Sequence, residues 1–289
     1  MRLLSYSVGG RASFGAVVGD GVVDLGRHLT DVADLSELLR LERLGEAREI
    51  AAERGGAPDL ALAEVTFERT VPRPARIYCI GVNYGGRNAE YGADSVDASY
   101  PSVFVRFPES LTGHGQDLLR PPESDQLDYE GEIVAVLGKG GRRIPAASAL
   151  GHLAGLTLGN EGTIRDWVRH AKFNVTQGKN WASSGSMGPW LTTMDEIGDL
   201  EQLQLTTRVN GELRQADTPA TMRYPIADQI AYLSTFGALA AGDVIFTGTP
   251  VGAGARFDPP RWLVPGDVVE VSVPELGVLR NGVRDEEVS

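Results

Sequence analysis

The chain has 289 residues, and its 27 lysines and arginines against 39 aspartates and glutamates give a formal charge of −12. This acidity argues against nucleic-acid binding, which needs clustered Lys and Arg, and no apolar run approaches the roughly 20 residues that span a membrane. The first residues lack the apolar core of a secretory signal, and the single cysteine, Cys79, cannot form an internal disulfide. We therefore expect a cytoplasmic globular protein that contacts neither nucleic acid nor membrane.

Residues 1–70 are predicted to form a small α+β domain. Glycine turns separate three short predicted strands, Leu3–Val8, Phe14–Val18 and Val22–Leu25. A leucine stripe then predicts two helices, about Asp31–Arg40 and Glu42–Arg54. Because Pro72 and Pro74 indicate a linker, residues 71–289 are predicted to form a second domain.

This second part is predicted to be mostly β-structure. The predicted strands are Arg76–Ile80, Ser102–Arg106, Ile133–Leu137, Leu203–Val209, Glu212–Arg214, Val244–Phe246, Val268–Val273 and Val278–Leu279. The predicted helices are Ala146–Leu150, Gly162–His170 and Ile226–Phe236. Asn210–Gly211 predicts a tight hairpin turn. Strand–helix alternation is weak, which disfavours a doubly wound fold, so the predicted class is α+β, mostly β.

The segment Asp128–Leu137 carries acidic residues at alternate positions before an apolar run. Alternate residues of a strand share a face, so Asp128, Glu130 and Glu132 are predicted to point the same way. Buried carboxylates repel one another, and a divalent cation is the simplest compensation. The alternative is a solvated strand end whose charges discourage pairing at the sheet edge.

Glu161 and Arg165 lie where a predicted strand leads into the predicted helix Gly162–His170. A metal ligand followed by a guanidinium suits a carboxylate substrate, since arginine binds carboxylates through two hydrogen bonds. Taken alone, however, the two residues favour a local Glu161–Arg165 pair at a helix N-terminus.

Two glycine-rich segments follow, and each contains one residue able to contact a ligand. Lys179 follows Gly178, with Gly185 and Gly188–Trp190 close behind, and Thr249 lies within residues 247–254. Neither segment has the spacing of a phosphate-binding loop. Glycines allow close approach of the backbone to a ligand, but they also simply make turns.

The order of the motifs is more specific than any one of them. In chain order the motifs are Gly81–Tyr84, Asp128–Glu132, Asn160–Asp166, Gly178–Lys179, Gly188–Trp190, Val209–Glu212, Gly242–Gly252 and Pro265–Asp267. From about Arg73 to Val283 the chain resembles the fumarylacetoacetate hydrolase family, including its members similar to 2-hydroxyhepta-2,4-diene-1,7-dioate isomerases. The resemblance implies a mixed β-roll catalytic domain, a small N-terminal domain and a homodimer.

The resemblance also implies a set of site residues. Glu130 and Glu132 match the family's metal ligands, and Glu161 fills the third ligand position, where the family commonly has aspartate. Ligands that are all oxygen favour Mg²⁺ or Mn²⁺ over Zn²⁺. The residues that match catalytic or substrate-binding positions are Lys179, Arg165, Thr249, Arg106 and Tyr84.

One position departs from the family's hydrolases, many of which follow an Asn–Tyr pair with a histidine and a glutamate that activate water. Here Glu90 is present, but Arg87 occupies the histidine position. Arginine stays protonated, cannot act as a general base and would lower the basicity of Glu90. We therefore interpret Arg87 as a substrate contact, and consider His114 and His170 as alternative proton-transfer residues.

We expect the metal to hold a small 2-oxo acid and to stabilise its enolate, with Lys179 beside the developing oxyanion. Among the possible reactions, we favour hydrolysis of a C–C bond in an acylpyruvate-type substrate. The alternatives are isomerisation or decarboxylation, acting on oxaloacetate or on a hydroxymuconate-type diacid of aromatic catabolism. A catalytically silent protein that binds metal and dicarboxylate also stays open.

Overall fold

The computed structural model describes residues 1–86, 99–172 and 174–287. Its strands are β1 Arg2–Val8, β2 Arg11–Val18, β3 Gly21–Asp24, β4 Leu60–Ala61, β5 Thr66–Phe67, β6 Ile77–Gly81, β7 Ser102–Val105, β8 Leu111–Thr112, β9 Leu118–Arg120, β10 Leu127–Asp128, β11 Gly131–Leu137, β12 Leu153–Asn160, β13 Thr163–Ile164, β14 Gly185–Thr193, β15 Leu205–Val209, β16 Glu212–Asp217, β17 Val244–Phe246, β18 Val268–Val273 and β19 Gly277–Asp285. Its α-helices are α1 Leu25–His28, α2 Leu35–Arg40, α3 Leu44–Arg54, α4 Ala146–Ala149, α5 Val175–Lys179 and α6 Ile226–Phe236.

Within the described residues, a twelve-stranded mixed sheet organises the fold, and its main path runs β4–β3–β2–β1–β14–β12–β11–β17–β6–β7. Near the middle lies β11, the strand predicted from its apolar run, and all of its residues are buried. Alternate side chains of β11 enter different hydrophobic clusters: Ile133, Ala135 and Leu137 pack on one face, Val134 and Val136 on the other. Both faces of the sheet are covered, which explains why β11 is apolar from Ile133 to Leu137.

The predicted N-terminal strands are confirmed, and they belong to this sheet. β1 pairs with β2 on one side and with β14 on the other, where Arg2 faces Thr192. The helices begin later than predicted; α2 starts only after Asp34, whose side chain accepts a hydrogen bond from the Glu37 N–H. The domain boundary near residue 70 stays a prediction.

A five-stranded sheet, β16–β15–β18–β19–β9, packs against the central sheet. Val271 and Leu279 of this sheet belong to the same hydrophobic cluster as Ile133. The predicted hairpin is confirmed between β15 and β16. Its turn residues Asn210 and Gly211 have φ of 52° and 80°, the left-handed conformation that these residue types tolerate.

Two segments near the acidic motifs differ from the prediction. Gly162–His170 is not an α-helix, because Thr163–Ile164 pairs with β10 as β13 and is followed by a 3₁₀ turn. The glycine-rich segment after Lys179, whose glycines were considered as turn residues, forms strand β14 between β1 and β12. Glycine lets backbones approach there, since a Cβ at Gly185 would lie 2.6 Å from the Asn160 carbonyl oxygen.

Gly131 lies between Glu130 and Glu132, where the central sheet packs closely against the five-stranded sheet. A Cβ at Gly131 would lie 1.9 Å from Thr207 Oγ1 in the facing sheet. We therefore expect Gly131→Ala to lower the free energy of unfolding by about 1–3 kcal/mol, the usual cost of overpacking a core. Denaturant titration measures this, with Gly151→Ala as control because a Cβ there meets nothing within 4 Å. Wild-type stability in Gly131→Ala would contradict the packing.

Candidate active site

Two glutamates from separate strands meet where β11 begins and β12 ends. The strands are antiparallel and pair Gly131 with Asn160, so Glu130 and Glu161 lie side by side. The Glu161 N–H donates to the Glu130 carbonyl oxygen at 2.7 Å, and the Glu130 N–H donates to Asn160 Oδ1 at 2.9 Å. Glu132 lies in β11, two residues beyond Glu130. The register of this hairpin therefore brings together carboxylates that are distant in the sequence.

The three carboxylates form a buried cluster that fits a divalent cation. One oxygen from each of Glu130, Glu132 and Glu161 lies within 4.8 Å of the others, and none of these residues is more than 4% exposed. Glu161 Oε1 has no hydrogen-bond partner among the described residues. Burial, and then the charges of Glu161 and Glu130, raise the pKa of Glu132 well above its ordinary value. A hard cation such as Mg²⁺ or Mn²⁺ would offset this repulsion.

Lys179, the last residue of α5, places a positive charge in contact with the cluster. Its ammonium group donates to Glu130 Oε2, to Glu161 Oε2 at 3.0 Å and to the Glu161 carbonyl oxygen at 3.2 Å. The same group lies 5.4 Å from the centre of the Phe104 ring. Burial opposes the charge, but Glu130 and Glu161 outweigh burial and raise the pKa of Lys179. Lys179 is therefore held as a cation between two of the three carboxylates.

Arg165 links the cluster to a further buried carboxylate, that of Asp128. Its Nε donates to Asp128 Oδ2 and its Nη2 donates to Glu130 Oε1, both at 2.7 Å. The predicted single strand through both acidic residues is interrupted between β10 and β11, and Asp128 lies outside the three-carboxylate cluster. Because residues 162–170 are not α-helical, the alternative of a helix-terminal Glu161–Arg165 pair does not apply.

The glycine-rich segment 247–254 contacts the cluster through backbone and side chain. The Gly248 N–H donates to Glu132 Oε2 at 2.8 Å, and Gly248 has a φ of 106°, which favours glycine. Thr249 Oγ1 donates to the Gly131 carbonyl oxygen at 2.9 Å and accepts from Gln215 Nε2 at 2.8 Å. These bonds hold Thr249 beside the start of β11.

A cavity of about 710 Å³ opens onto the cluster. Six predicted site residues line it, namely Glu130, Glu132, Glu161, Arg165, Lys179 and Thr249. Arg169 and Arg256 also line the cavity, although no sequence motif predicted them there. The sequence did offer one indication for Arg256, since it closely follows the glycine-rich segment that contains Thr249.

Two predicted substrate contacts, Arg106 and Tyr84, are not among the residues that line the cavity. The Arg106 guanidinium is buried and donates to the Gly162 carbonyl oxygen at 2.9 Å and to the Ser110 and Ser184 hydroxyls at 3.0 and 3.1 Å. These bonds support the turn after Glu161, and the substrate contact of Arg106 stays a prediction. Tyr84 is 3% exposed and belongs to the hydrophobic core.

The two histidines considered for proton transfer also lie outside the cavity lining. His114 Nδ1 accepts from the Arg280 N–H at 3.2 Å, and its ring packs edge-on against Phe67. His170 is exposed and stacks on Trp167, with 4.0 Å between ring centroids. The proton-transfer role of both histidines stays a prediction.

Arg87 and Glu90 lie outside the described residues, and their roles stay predictions. Among the residues that are described, no helix is long and apolar enough to span a membrane.

Known proteins resemble the chain over most of its length. It is 40% identical over 227 residues to the oxaloacetate tautomerase YisK of Bacillus subtilis (strain 168), which covers 77% of this chain and 74% of that protein. It is 35% identical over 269 residues to the mitochondrial oxaloacetate tautomerase Fahd2a of Rattus norvegicus, which covers 92% of this chain and 85% of that protein.

The solved structure of maleylpyruvate hydrolase from Sphingobium sp. SYK-6, in complex with manganese(II) ion and pyruvate, superposes with a TM-score of 0.81. It is 26% identical, and the match covers 99% of this chain and all of that one. Residues 76–284 match the family described as fumarylacetoacetate (FAA) hydrolase C-terminal. Together with the buried carboxylate cluster, these matches show that the chain belongs to the fumarylacetoacetate hydrolase family.

Proposed function

We propose that the protein is a divalent-metal-dependent enzyme that interconverts the keto and enol forms of oxaloacetate or a closely similar 2-oxo acid. The observation that carries this proposal is the buried cluster of Glu130, Glu132 and Glu161 beside Lys179, at the wall of a cavity. Support for the substrate comes from two relatives, 40% and 35% identical, that are named oxaloacetate tautomerases.

Glu130, Glu132 and Glu161 are the residues that would hold Mg²⁺ or Mn²⁺. When bound, such an ion supplies Lewis-acid charge that stabilises negative charge on the oxygens of a 2-oxo acid. The manganese(II) ion and pyruvate in the Sphingobium hydrolase support this class of ion and ligand.

Keto–enol exchange moves one proton between C3 of the substrate and the oxygen on C2. We assign the Lys179 ammonium to the C2 oxygen, where it would stabilise the negative charge that develops as the C3 proton leaves. Arg165 and Thr249 line the same cavity and would orient the C1 carboxylate through guanidinium and hydroxyl hydrogen bonds. Glu90 stays a predicted catalytic residue.

Tautomerisation needs no activated water, and this agrees with the arginine at position 87. Many hydrolases of the family have a histidine there, and a guanidinium cannot replace it as a base. For this reason we place tautomerisation ahead of the C–C hydrolysis that the sequence alone favoured. Hydrolysis of an acylpyruvate-type substrate is the second candidate, because the overall structure resembles a maleylpyruvate hydrolase.

Assays of the Mg²⁺-loaded protein on oxaloacetate, an acylpyruvate and a 2-hydroxymuconate separate the candidates. Faster decay of the oxaloacetate enol absorbance with total oxaloacetate unchanged supports tautomerisation. Pyruvate released from oxaloacetate indicates decarboxylation, and pyruvate released from the acylpyruvate indicates hydrolysis. If the protein binds Mg²⁺ and oxalate but converts none of these substrates, it is a catalytically silent binding protein. The family resemblance also supports a homodimer, which light scattering of the same preparation checks.

Arg87→His is expected to raise acylpyruvate hydrolysis by at least about tenfold, because it restores a general base of the kind that contributes 10²- to 10⁴-fold in enzymes. Pyruvate release measures the gain. The control is Arg87→Gln, which removes the charge without adding a base. Equal rates in both variants, or no gain in Arg87→His, would show that the missing histidine is not what limits hydrolysis.

A further inference from the structure

The described walls of the cavity carry more basic than acidic side chains. Among the described residues, three carboxylates line the cavity, against four basic side chains: Arg165, Arg169, Lys179 and Arg256. A bound divalent ion would add two further positive charges. Walls of one net sign concentrate ligands of the opposite charge, so this cavity favours a dianion over a monoanion.

Two of the basic side chains are engaged with the carboxylate cluster, and Arg256 lies on a different element. Arg165 binds Glu130, and Lys179 binds Glu130 and Glu161. Arg256 ends the 3₁₀ turn Gly254–Arg256 and is half-buried, whereas Arg169 is exposed. Arg256 therefore brings positive charge to the cavity from outside the metal-binding strands.

Asp128 fixes the turn that carries Arg256. Its fully buried carboxylate accepts from the Gly254 N–H at 2.7 Å and from the Ala255 N–H at 3.1 Å. The same carboxylate binds Arg165 Nε at 2.7 Å. Hydrogen bonds to an ionised carboxylate are among the stronger ones in proteins, so Asp128 ties this turn to the residue that contacts Glu130.

The turn is also closely packed at Gly254. A Cβ there would lie 2.2 Å from the Arg261 carbonyl oxygen and 2.6 Å from Asp128 Oδ1. Side-chain bonds and backbone packing therefore both define where Arg256 stands relative to the carboxylate cluster.

We propose that Arg256 is a specificity-determining residue that binds the second carboxylate of a 2-oxo dicarboxylate, with Asp128 as the positioning residue that holds its turn at the cavity. The inference rests on the proposed function, because it names the substrate class of the same site. A guanidinium can give a carboxylate two parallel hydrogen bonds. A 2-oxo acid with a methyl group at its distal end forms no such contact.

Calorimetric titration of the Mg²⁺-loaded protein tests this with 2-oxoglutarate and 2-oxopentanoate. The two ligands have equal numbers of carbons and differ in the distal carboxylate. We expect the wild type to bind the dicarboxylate more tightly, and Arg256→Gln to lose that preference through an increase of about 10- to 100-fold in the Kd of 2-oxoglutarate, the effect of a lost charge-assisted hydrogen bond. Arg256→Lys keeps the charge without the planar fork and should retain part of the preference.

The matched control is Arg261→Gln, which removes an arginine that follows the same turn, pairs with Glu212 and is not among the residues lining the cavity. Both Kd values should stay at the wild-type level in this control. An unchanged Kd ratio in Arg256→Gln, an equal loss for both ligands, or a wild type without preference would overturn the inference. Failure of the proposed function shows separately, as the absence of Mg²⁺-dependent keto–enol exchange in the wild type.

Discussion

Glu132→Gln is expected to abolish turnover and to weaken Mg²⁺ binding by more than about 100-fold, beyond the 10- to 100-fold seen when residues that only support a metal ligand are changed. The same substitution should raise the melting temperature of the ion-free protein by at least about 2 °C, the shift that roughly 1 kcal/mol produces in a large domain. Among the described residues Glu132 has no ion pair, so without a cation its buried charge destabilises the fold.

The pH dependence of this gain in melting temperature follows from the pKa of Glu132. Burial, Glu161 and Glu130 raise that pKa in the folded protein, so the carboxylate destabilises the fold at neutral pH. As the pH falls toward the ordinary glutamate pKa of about 4.3, Glu132 becomes protonated in both states and the advantage of the variant should shrink.

Glu130→Gln is the matched comparison for Glu132→Gln. It should also lose Mg²⁺ binding, but it should melt at a lower temperature than the wild type, because Arg165 and Lys179 lose their ionised partner. Thermal scans with and without Mg²⁺, together with calorimetric Mg²⁺ titrations, measure both effects. Wild-type Mg²⁺ affinity in Glu132→Gln would remove this residue from the metal site.

Lys179→Met is expected to lower kcat by about 10²- to 10³-fold, the usual loss when one group that stabilises an oxyanion is removed. Mg²⁺ affinity should stay the same or increase, because the substitution removes a cation that contacts Glu130 and Glu161. A lower kcat without weaker Mg²⁺ binding distinguishes a catalytic lysine from one that only holds the metal ligands in place.

The kinetics of Lys179→Met are best measured at saturating Mg²⁺, which keeps the carboxylates neutralised. Lys139→Met is the control, since Lys139 is exposed and does not line the cavity. If kcat of Lys179→Met equals that of the wild type, or if the variant no longer binds Mg²⁺, the role assigned to Lys179 is wrong.

A shared face for Glu130 and Glu132 was predictable because successive side chains of a β-strand alternate between its two faces. Glu130 and Glu132 stand at alternate positions before an apolar run, so a shared face followed from the sequence alone. Glu161 came from the family resemblance, since its approach to Glu130 depends on the register that pairs Gly131 with Asn160. Such a register is set by tertiary packing and is not visible in either segment.

The wrong predictions share a physical cause, which is that local patterns do not reveal tertiary partners. Residues 163–164 join β10 in a small sheet, and this pairing replaces the helix predicted for Gly162–His170. Arg106 was expected in the pocket from its family position; its guanidinium donates to Ser110, Gly162 and Ser184, and its contact with a substrate stays a prediction. A sequence does not show whether a long side chain points into a cavity or packs behind the residues that line it.

A crystal soaked with Mn²⁺ and oxalate tests the central claim most directly, through the anomalous signal of manganese. We expect one anomalous peak within about 2.0–2.6 Å of a carboxylate oxygen from each of Glu130, Glu132 and Glu161, with oxalate bound to the same ion. The absence of a peak there, or a peak that any one of the three carboxylates does not reach, would contradict that claim.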